Sequence, residues 1–405
     1  MMRCGLLGEK LGHSYSPAIH KRLGPYEYGL YEKTPSELEA FLETGDFTGL
    51  NVTIPYKKTV FPYMDEVSDT AAAIGSINTI VRRPDGTLYG DNTDVYGFKS
   101  MLIRSGIPVS GRKALVLGSG GASVSVLYVL KELGANPVVI SRSGPDNYEN
   151  LEKHADAEVV VNTTPLGMYP KNGEAALGLS HLPACKGVLD LIYNPARTAL
   201  LLEAEKRGIP YENGLYMLVA QAKRSAELFT GSEIADLEIE RIYRELSAEL
   251  SNIILIGMPG SGKTTVAKRI GVLTGREVFD ADEEFTKTYG RTPEQVITED
   301  GEDAFRRMET EVLRELGKKS GAVVATGGGA VTREENYPLL HQNGVIIWIT
   351  RDLSELDTKN RPLSAGSLMK LYEKREPLYR AWADLTAESR KSAAAEILTR
   401  LGDIR

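Results

Sequence analysis

The run Asn252-Ile253-Ile254-Leu255-Ile256-Gly257-Met258-Pro259-Gly260-Ser261-Gly262-Lys263-Thr264 decides the fold of the chain's C-terminal part. Its unbroken isoleucines and leucine read as a parallel strand buried on both faces. The strand runs directly into G-x-x-x-x-G-K-T, a phosphate-binding loop. Gly257, Gly260 and Gly262 let backbone N–H groups, with Ser261 among them, curl around an anion. Lys263 would reach the outer phosphates, and the Thr264 hydroxyl would hold Mg²⁺. Thr265 follows in the first turn of a helix that points its positive end at the same anion. About 250 residues precede this loop and need their own explanation.

Working outward, 405 residues suit two or three domains. Strand patterns alternate with helical ones along the whole chain, which argues an α/β class. With 42% hydrophobic residues the chain can bury several cores. A net charge of −7 on a 25% charged chain gives no sign of nucleic-acid binding. Cys4 and Cys185 stand far apart and match no metal spacing, so reduced thiols are expected. No run has transmembrane length and the N-terminus lacks a signal pattern, so a cytoplasmic protein without a membrane partner is expected. Nothing in the sequence specifies an oligomeric state.

From the N-terminus, Cys4-Gly-Leu-Leu-Gly reads as a short strand, and His13-Ser14-Tyr15-Ser16-Pro17 as a loop into a helix. Pro17 suits the first turn with Ser16 as cap. Ser14 and Ser16 can cap, or they can bind a small carboxylate. Asn51 and Thr53 fall two apart in a strand that Pro55 ends, so they share a face. Lys57 follows that turn. Asn78 sits in an otherwise apolar strand and needs a polar partner there. Asp91-Asn92-Thr93-Asp94 reads as a loop ahead of a helix, with the aspartates as turn formers and caps or as part of a site. Lys113-Ala-Leu-Val-Leu-Gly118-Ser-Gly120-Gly121-Ala122-Ser123 is a strand, a glycine turn and a helix start, the dinucleotide pattern. The next strand ends in Ser141-Arg142-Ser143. An arginine there can pair with a 2′-phosphate where an NAD site has a carboxylate.

These patches together resemble the shikimate dehydrogenases over residues 1 to about 248. The match continues through Asn162-Thr163-Thr164-Pro165, through the strand end carrying Tyr193, and through the helix carrying Gln221. The resemblance implies NADPH-dependent reduction of 3-dehydroshikimate to shikimate. It makes Lys57 the proton donor and Asp94 its partner and a ligand of a ring hydroxyl. Ser14 and Ser16 would take the ring carboxylate, with Asn51, Thr53, Asn78, Tyr193 and Gln221 at the rest of the ring or at Lys57. Gly118, Gly120, Gly121, Ala122, Ser123, Ser141, Arg142 and Ser143 would bind NADP. The chain departs from the family at Asp146, where a basic residue is usual.

In the second part, Glu233 to Leu250 reads as an amphipathic helix ending almost on Asn252. Asp280 and Asp282 fall two apart at a strand end, and so share a face. Arg306 and Glu309 lie three apart on a helix, a spacing that on its own suits a surface ion pair. Gly327-Gly328-Gly329 ends a buried strand and admits close approach of a ligand. With Arg361-Pro-Leu and Arg375-Glu-Pro-Leu-Tyr379, this set resembles shikimate kinase over about 251–390. It implies that Asp282 binds ring hydroxyls and accepts a proton, that Arg306 and Arg375 clamp the carboxylate, and that the three glycines line the ring. Asp280 would support Mg²⁺ together with Thr264, and Arg361 would lie in a lid over ATP. The lid departs from the family, since Leu353 to Lys359 lacks the usual arginine and the stretch to Arg375 is short. The implied layout is a substrate domain over 1–100 completed by about 220–248, a Rossmann-like NADP domain over 101–219, and a nucleoside-monophosphate-kinase-like parallel-sheet domain over 251–405. The whole reads as a bifunctional enzyme with 3-dehydroshikimate and shikimate as its small-molecule partners. The competing readings are a quinate/shikimate dehydrogenase joined to another small-metabolite kinase, or to a nucleotide sensor that has lost activity.

Overall fold

A computed structural model describes residues 2–12, 14–356 and 368–404. The chain divides into two compact units. The first is Met1–Met168 with Gly173–Tyr193 and Leu200–Tyr243, and the second is Arg244–Arg405 with the short segments Tyr169–Asn172 and Asn194–Ala199.

The first unit holds two sheets. One comprises β1 (Arg3–Gly8), β2 (Glu27–Glu32), β3 (Gly49–Val52), β4 (Glu66–Val67), β5 (Thr79–Arg82) and β6 (Leu88–Asp91), in the order β2-β1-β3-β5-β6-β4. β3 and β6 run antiparallel to β5, whereas the β1 pairings are parallel. Helices α1 (Ser16–Leu23), α2 (Leu38–Thr44), α3 (Asp69–Ile74) and α4 (Thr93–Ser105) belong to this part of the chain. The second sheet comprises β7 (Lys113–Leu117), β8 (Asn136–Ile140), β9 (Val159–Asn162), β10 (Gly187–Asp190) and β11 (Tyr211–Asn213), all parallel, in the order β11-β10-β9-β7-β8. β7 buries Leu115 and Leu117 in one core and Ala114 and Val116 in another, as a two-sided strand must. Each of the larger three side chains contributes roughly 1.5–3 kcal/mol. α5 (Gly121–Glu132), α6 (Ala199–Lys206), α7 (Leu215–Thr230) and α8 (Leu237–Leu250) follow in the chain. The crossover reverses at β7, so the crevice beyond its carboxyl end is where such a sheet binds a ligand.

In the second unit β12 (Asn252–Ile256), β13 (Val278–Asp280), β14 (Val323–Ala325), β15 (Gly344–Thr350) and β16 (Leu385–Glu388) form a parallel sheet in the order β13-β14-β12-β15-β16. β12 is buried throughout. Ile254 and Ile256 pack with Phe285, Leu313 and Trp348, while Ile253 and Leu255 pack on the other face with Val266, Ile270 and Ile397. The helices are α9 (Lys263–Thr274), α10 (Ala281–Tyr289), α11 (Pro293–Asp300), α12 (Glu302–Gly317), α13 (Asn336–His341), α14 (Leu368–Trp382) and α15 (Ala393–Ile404).

Four local expectations are corrected. Ser16 is the first residue of α1 and not its cap. The cap position is Tyr15, and the Ser14 hydroxyl accepts the Ser16 N–H at 3.2 Å. The helix expected from Glu233 begins at Leu237. Asp280 and Asp282 do not share a strand face, because β13 ends at Asp280. Asp280 then caps α10 by accepting the Asp282 N–H at 3.0 Å. Arg306 and Glu309 form no surface pair, for both are buried. Among the described residues no helix is long and apolar enough to cross a membrane. His13 and Arg361 lie outside the described residues.

Candidate functional sites

In the first unit a cavity of about 270 Å³ is lined by Ser14, Ser16, Asn51, Thr53, Lys57, Asn78, Asp94, Tyr193 and Gln221, with Leu6, Leu191, Met217 and Leu218 among its apolar walls. Residues spread over two hundred positions meet there because β3, the start of α4 and α7 converge. Gly97 of α4 permits this. A Cβ on it would stand 2.7 Å from the Met217 carbonyl and 2.9 Å from Gln221 Cβ, so only glycine lets α7 lie this close.

Lys57 Nζ donates to Asp94 Oδ2 at 2.5 Å, and both side chains are mostly shielded. Asn78 Nδ2 donates to the other oxygen, Asp94 Oδ1, at 2.9 Å. With a donor on each oxygen the carboxylate is held as an acceptor on both sides. Asn78 has no freedom to turn, because its Oδ1 accepts the Thr93 N–H at 2.7 Å. Asn51 Oδ1 accepts from Tyr28 Oη at 2.8 Å. Tyr28 stacks on His20 at 4.0 Å, and the His20 ring shares a 2.7 Å hydrogen bond with Tyr26 Oη. Burial pushes the phenol of Tyr193 up, and its ring rests 5.5 Å from that of Tyr15. Gln221 directs its amide N–H to the Leu218 carbonyl at 3.0 Å.

At the carboxyl end of β7, Gly118 has φ +99°, Gly120 caps α5, and Gly121, Ala122 and Ser123 form its first turn. A Cβ on Gly120 would meet nothing within 4 Å, so the turn faces open space that a dinucleotide could fill. Ser123 is buried, its hydroxyl donating to the Gly120 carbonyl at 2.6 Å. Arg142 is exposed on the loop after β8, beside Ser141 and Ser143. Asp146 faces His154 Nε2 at 2.9 Å.

In the second unit the phosphate loop bends at Gly257 (φ +145°), Gly260 (φ +79°) and Gly262 (φ +92°). The Ser261 hydroxyl is buried without a hydrogen-bond partner, which marks the loop as shaped for a polar ligand. Lys263 Nζ donates to the carbonyls of Gly257 and Met258, each at 3.0 Å. Thr264 Oγ1 donates to Asp280 Oδ2 at 2.6 Å, so a hydroxyl and a carboxylate, both hard oxygen donors suited to Mg²⁺, stand together. Thr265 follows in the first turn of α9.

In the same unit a cavity of about 520 Å³ is lined by Arg306, Arg333, Lys374 and Arg375 against Glu302 and Asp303. Arg306 donates to Glu309 at 2.5 Å, and Arg375 donates to the Gly328 carbonyl at 3.2 Å while its Nε has no partner. Burial first, and nearby Arg306 among the lesser causes, lower the pKa of the Arg375 guanidinium, a cost that a bound anion would offset. The Gly328 carbonyl also accepts from the buried Tyr379 hydroxyl. Sequence reasoning missed this tie. Tyr379 falls four after Arg375, on the same helix face, which was the available signal. Gly327 lies between Glu309 and Asp282 with no room for a side chain.

Two nucleotide-binding folds therefore share one chain, a dinucleotide-type sheet joined to a substrate lobe and a phosphate-loop sheet of the kinase type. Residues 6–80 match the shikimate dehydrogenase substrate binding domain, and residues 259–404 match shikimate kinase. A shikimate dehydrogenase (NADP(+)) of Clostridium perfringens (strain SM101 / Type A) is 36% identical over 264 residues, spanning 60% of this chain and 97% of that protein. Two solved structures align likewise. The chorismate mutase/shikimate 5-dehydrogenase fusion protein from Clostridium acetobutylicum has 35% identity and a TM-score of 0.58, covering 60% of this chain and 97% of its own. Shikimate 5-dehydrogenase from Thermus thermophilus in complex with NADP(H) and shikimate has 32% identity and a TM-score of 0.55, covering 60% and 99%. The chain belongs to the shikimate dehydrogenase family and carries a shikimate kinase domain behind it.

Proposed function

We propose that the first unit reduces 3-dehydroshikimate to shikimate with NADPH and that the second phosphorylates shikimate with ATP to shikimate 3-phosphate. The observation that carries the reading is the Lys57–Asp94 pair, set at 2.5 Å in a cavity whose other polar groups are hydroxyls and amides. NADPH, when bound, supplies the hydride. The Lys57 ammonium polarises the carbonyl oxygen and delivers the proton it needs. Asp94 keeps Nζ aimed and accepts a ring hydroxyl. Ser14 and Ser16 take the carboxylate, and Asn51, Thr53, Asn78, Tyr193 and Gln221 hold the remaining ring substituents. Gly118, Gly120, Gly121, Ala122 and Ser123 receive the pyrophosphate, and Ser141, Arg142 and Ser143 the 2′-phosphate.

In the second unit Asp282 takes the proton of the attacking ring hydroxyl. Arg306, aimed by Glu309, and Arg375 clamp the carboxylate, and Gly327, Gly328 and Gly329 let the ring approach the backbone. Gly257, Gly260, Ser261, Gly262, Lys263 and Thr265 cradle the ATP phosphates. Thr264 and Asp280 would hold Mg²⁺, which neutralises phosphate charge. Such transfer depends on positioning and charge neutralisation. Incubation of the protein with 3-dehydroshikimate, NADPH and Mg-ATP should yield shikimate 3-phosphate by mass analysis. Consumption of NADPH without that product would sink the kinase half, and no consumption would sink the dehydrogenase half.

A further inference from the structure

Ser225 lies on α7, one turn beyond Gln221, and is completely buried. Its hydroxyl meets three side chains from three other elements. Asn51 Nδ2 donates to it at 2.7 Å, and the hydroxyls of Thr93 and Thr79 stand 3.1 and 3.2 Å away. All three neighbours are buried.

Most of the protons in this cluster can be placed. Ser225 Oγ–H donates to the Gln221 carbonyl at 2.9 Å, one helical turn back. Both of its lone pairs are then left to accept. The Asn78 Oδ1 takes the Thr93 N–H at 2.7 Å and has one further site, for which the Thr79 hydroxyl at 3.0 Å is closer than the Thr93 hydroxyl at 3.2 Å. The Thr93 hydroxyl stands 3.1 Å from both the Ser225 and the Thr79 hydroxyls, and a Ser225 lone pair takes the Asn51 N–H. In this arrangement each hydroxyl proton has an acceptor. Asn51 Oδ1 is occupied by Tyr28, so one amide N–H goes to Ser225 and the other is left for the cavity.

We infer that Ser225 is a positioning residue of the dehydrogenase site: by accepting from Asn51 it sets the direction of the remaining Asn51 N–H toward the bound ring. This rests on the proposed dehydrogenase reading. Removing the oxygen would leave a buried amide N–H with only the Thr79 hydroxyl at 3.4 Å, and such an amide turns or is lost to the ligand.

Steady-state kinetics on the full chain test this. Ser225→Ala should raise KM for 3-dehydroshikimate about ten-fold, the scale of one lost hydrogen bond, and leave KM for NADPH within about two-fold. Ser225→Thr, which keeps the oxygen, should restore most of the substrate KM. In an Asn51→Ala background, Ser225→Ala should add less than about two-fold, because the amide it directs is gone. An unchanged substrate KM in Ser225→Ala would overturn the inference, as would effects of Asn51→Ala and Ser225→Ala that multiply. Failure of the unmodified protein to reduce 3-dehydroshikimate would instead reject the dehydrogenase reading itself.

Discussion

Glu309 accepts from Arg306 at 2.5 Å through one oxygen, while its other oxygen has no hydrogen-bond partner and faces Gly327. Burial raises the pKa of this carboxyl, and the Arg306 guanidinium opposes that shift. A Cβ on Gly327 would collide with the free oxygen and stand 3.4 Å from Asp282 Oδ1. Gly327→Ala should therefore displace Glu309, and Arg306 with it. Overpacking of about 1–3 kcal/mol at this point, carried into the bound state, corresponds to a loss of about 5- to 150-fold in kinase kcat/KM for shikimate. Dehydrogenase rates measured on the same preparation should not change. A kinase rate within two-fold of the parent would show that the glycine is not needed for ring access.

Each candidate site has its own lysine. Lys57 pairs with Asp94 in the first unit, and Lys263 is buried against the phosphate loop in the second. Lys57→Ala should lower dehydrogenase turnover by at least about 100-fold, the scale of a lost general acid, with phosphorylation of shikimate intact. Lys263→Ala should do the reverse. Loss of both activities from either change in a folded protein would mean that the division into two sites is wrong.

What could be read from the sequence follows the range of the interactions. The strand, glycine turn and helix at β7 and at β12 are local patterns, and both stand in the structure where the residues placed them. Lys57 and Asp94 are 37 positions apart, and only the family pattern brought them together before the fold did. Ser225 gave no such signal. Its neighbours Asn51, Thr79 and Thr93 depend on how α7 lies across the first sheet, which no local propensity encodes. Arg306 and Glu309 were misplaced for the converse reason. Their spacing describes one helix face correctly but does not say that this face is buried.

The proposed cofactor choice rests on Arg142. It is exposed on the loop after β8, and the nearby acidic side chain, Asp146, is engaged by His154. Arg142→Asp should remove the charge that meets a 2′-phosphate and repel it, shifting kcat/KM from NADPH toward NADH by at least about ten-fold. Comparison of both cofactors with both proteins checks this. Equal NADPH and NADH efficiencies in the parent would reject the role of Arg142.

The buried imidazole of His20 should make the first unit acid-sensitive. It has no exposed surface, lies stacked on Tyr28, and bonds to Tyr26. Burial lowers its pKa from 6.5 to about 3, so the folded protein keeps it neutral where the unfolded chain protonates it. Between those two values the unfolded state binds the extra proton, and stability falls as pH falls. The contribution is complete above pH 6.5, is reduced by about 2 kcal/mol at pH 5, and goes on falling toward pH 3. In urea, the midpoint for loss of dehydrogenase activity should drop between pH 7 and pH 5, and His20→Gln should flatten that drop. Both tryptophans, Trp348 and Trp382, lie in the second unit, so their fluorescence gives an internal control. Its midpoint should be the same in parent and variant at each pH. An equally steep fall of the dehydrogenase midpoint in His20→Gln would place the acid sensitivity on other groups.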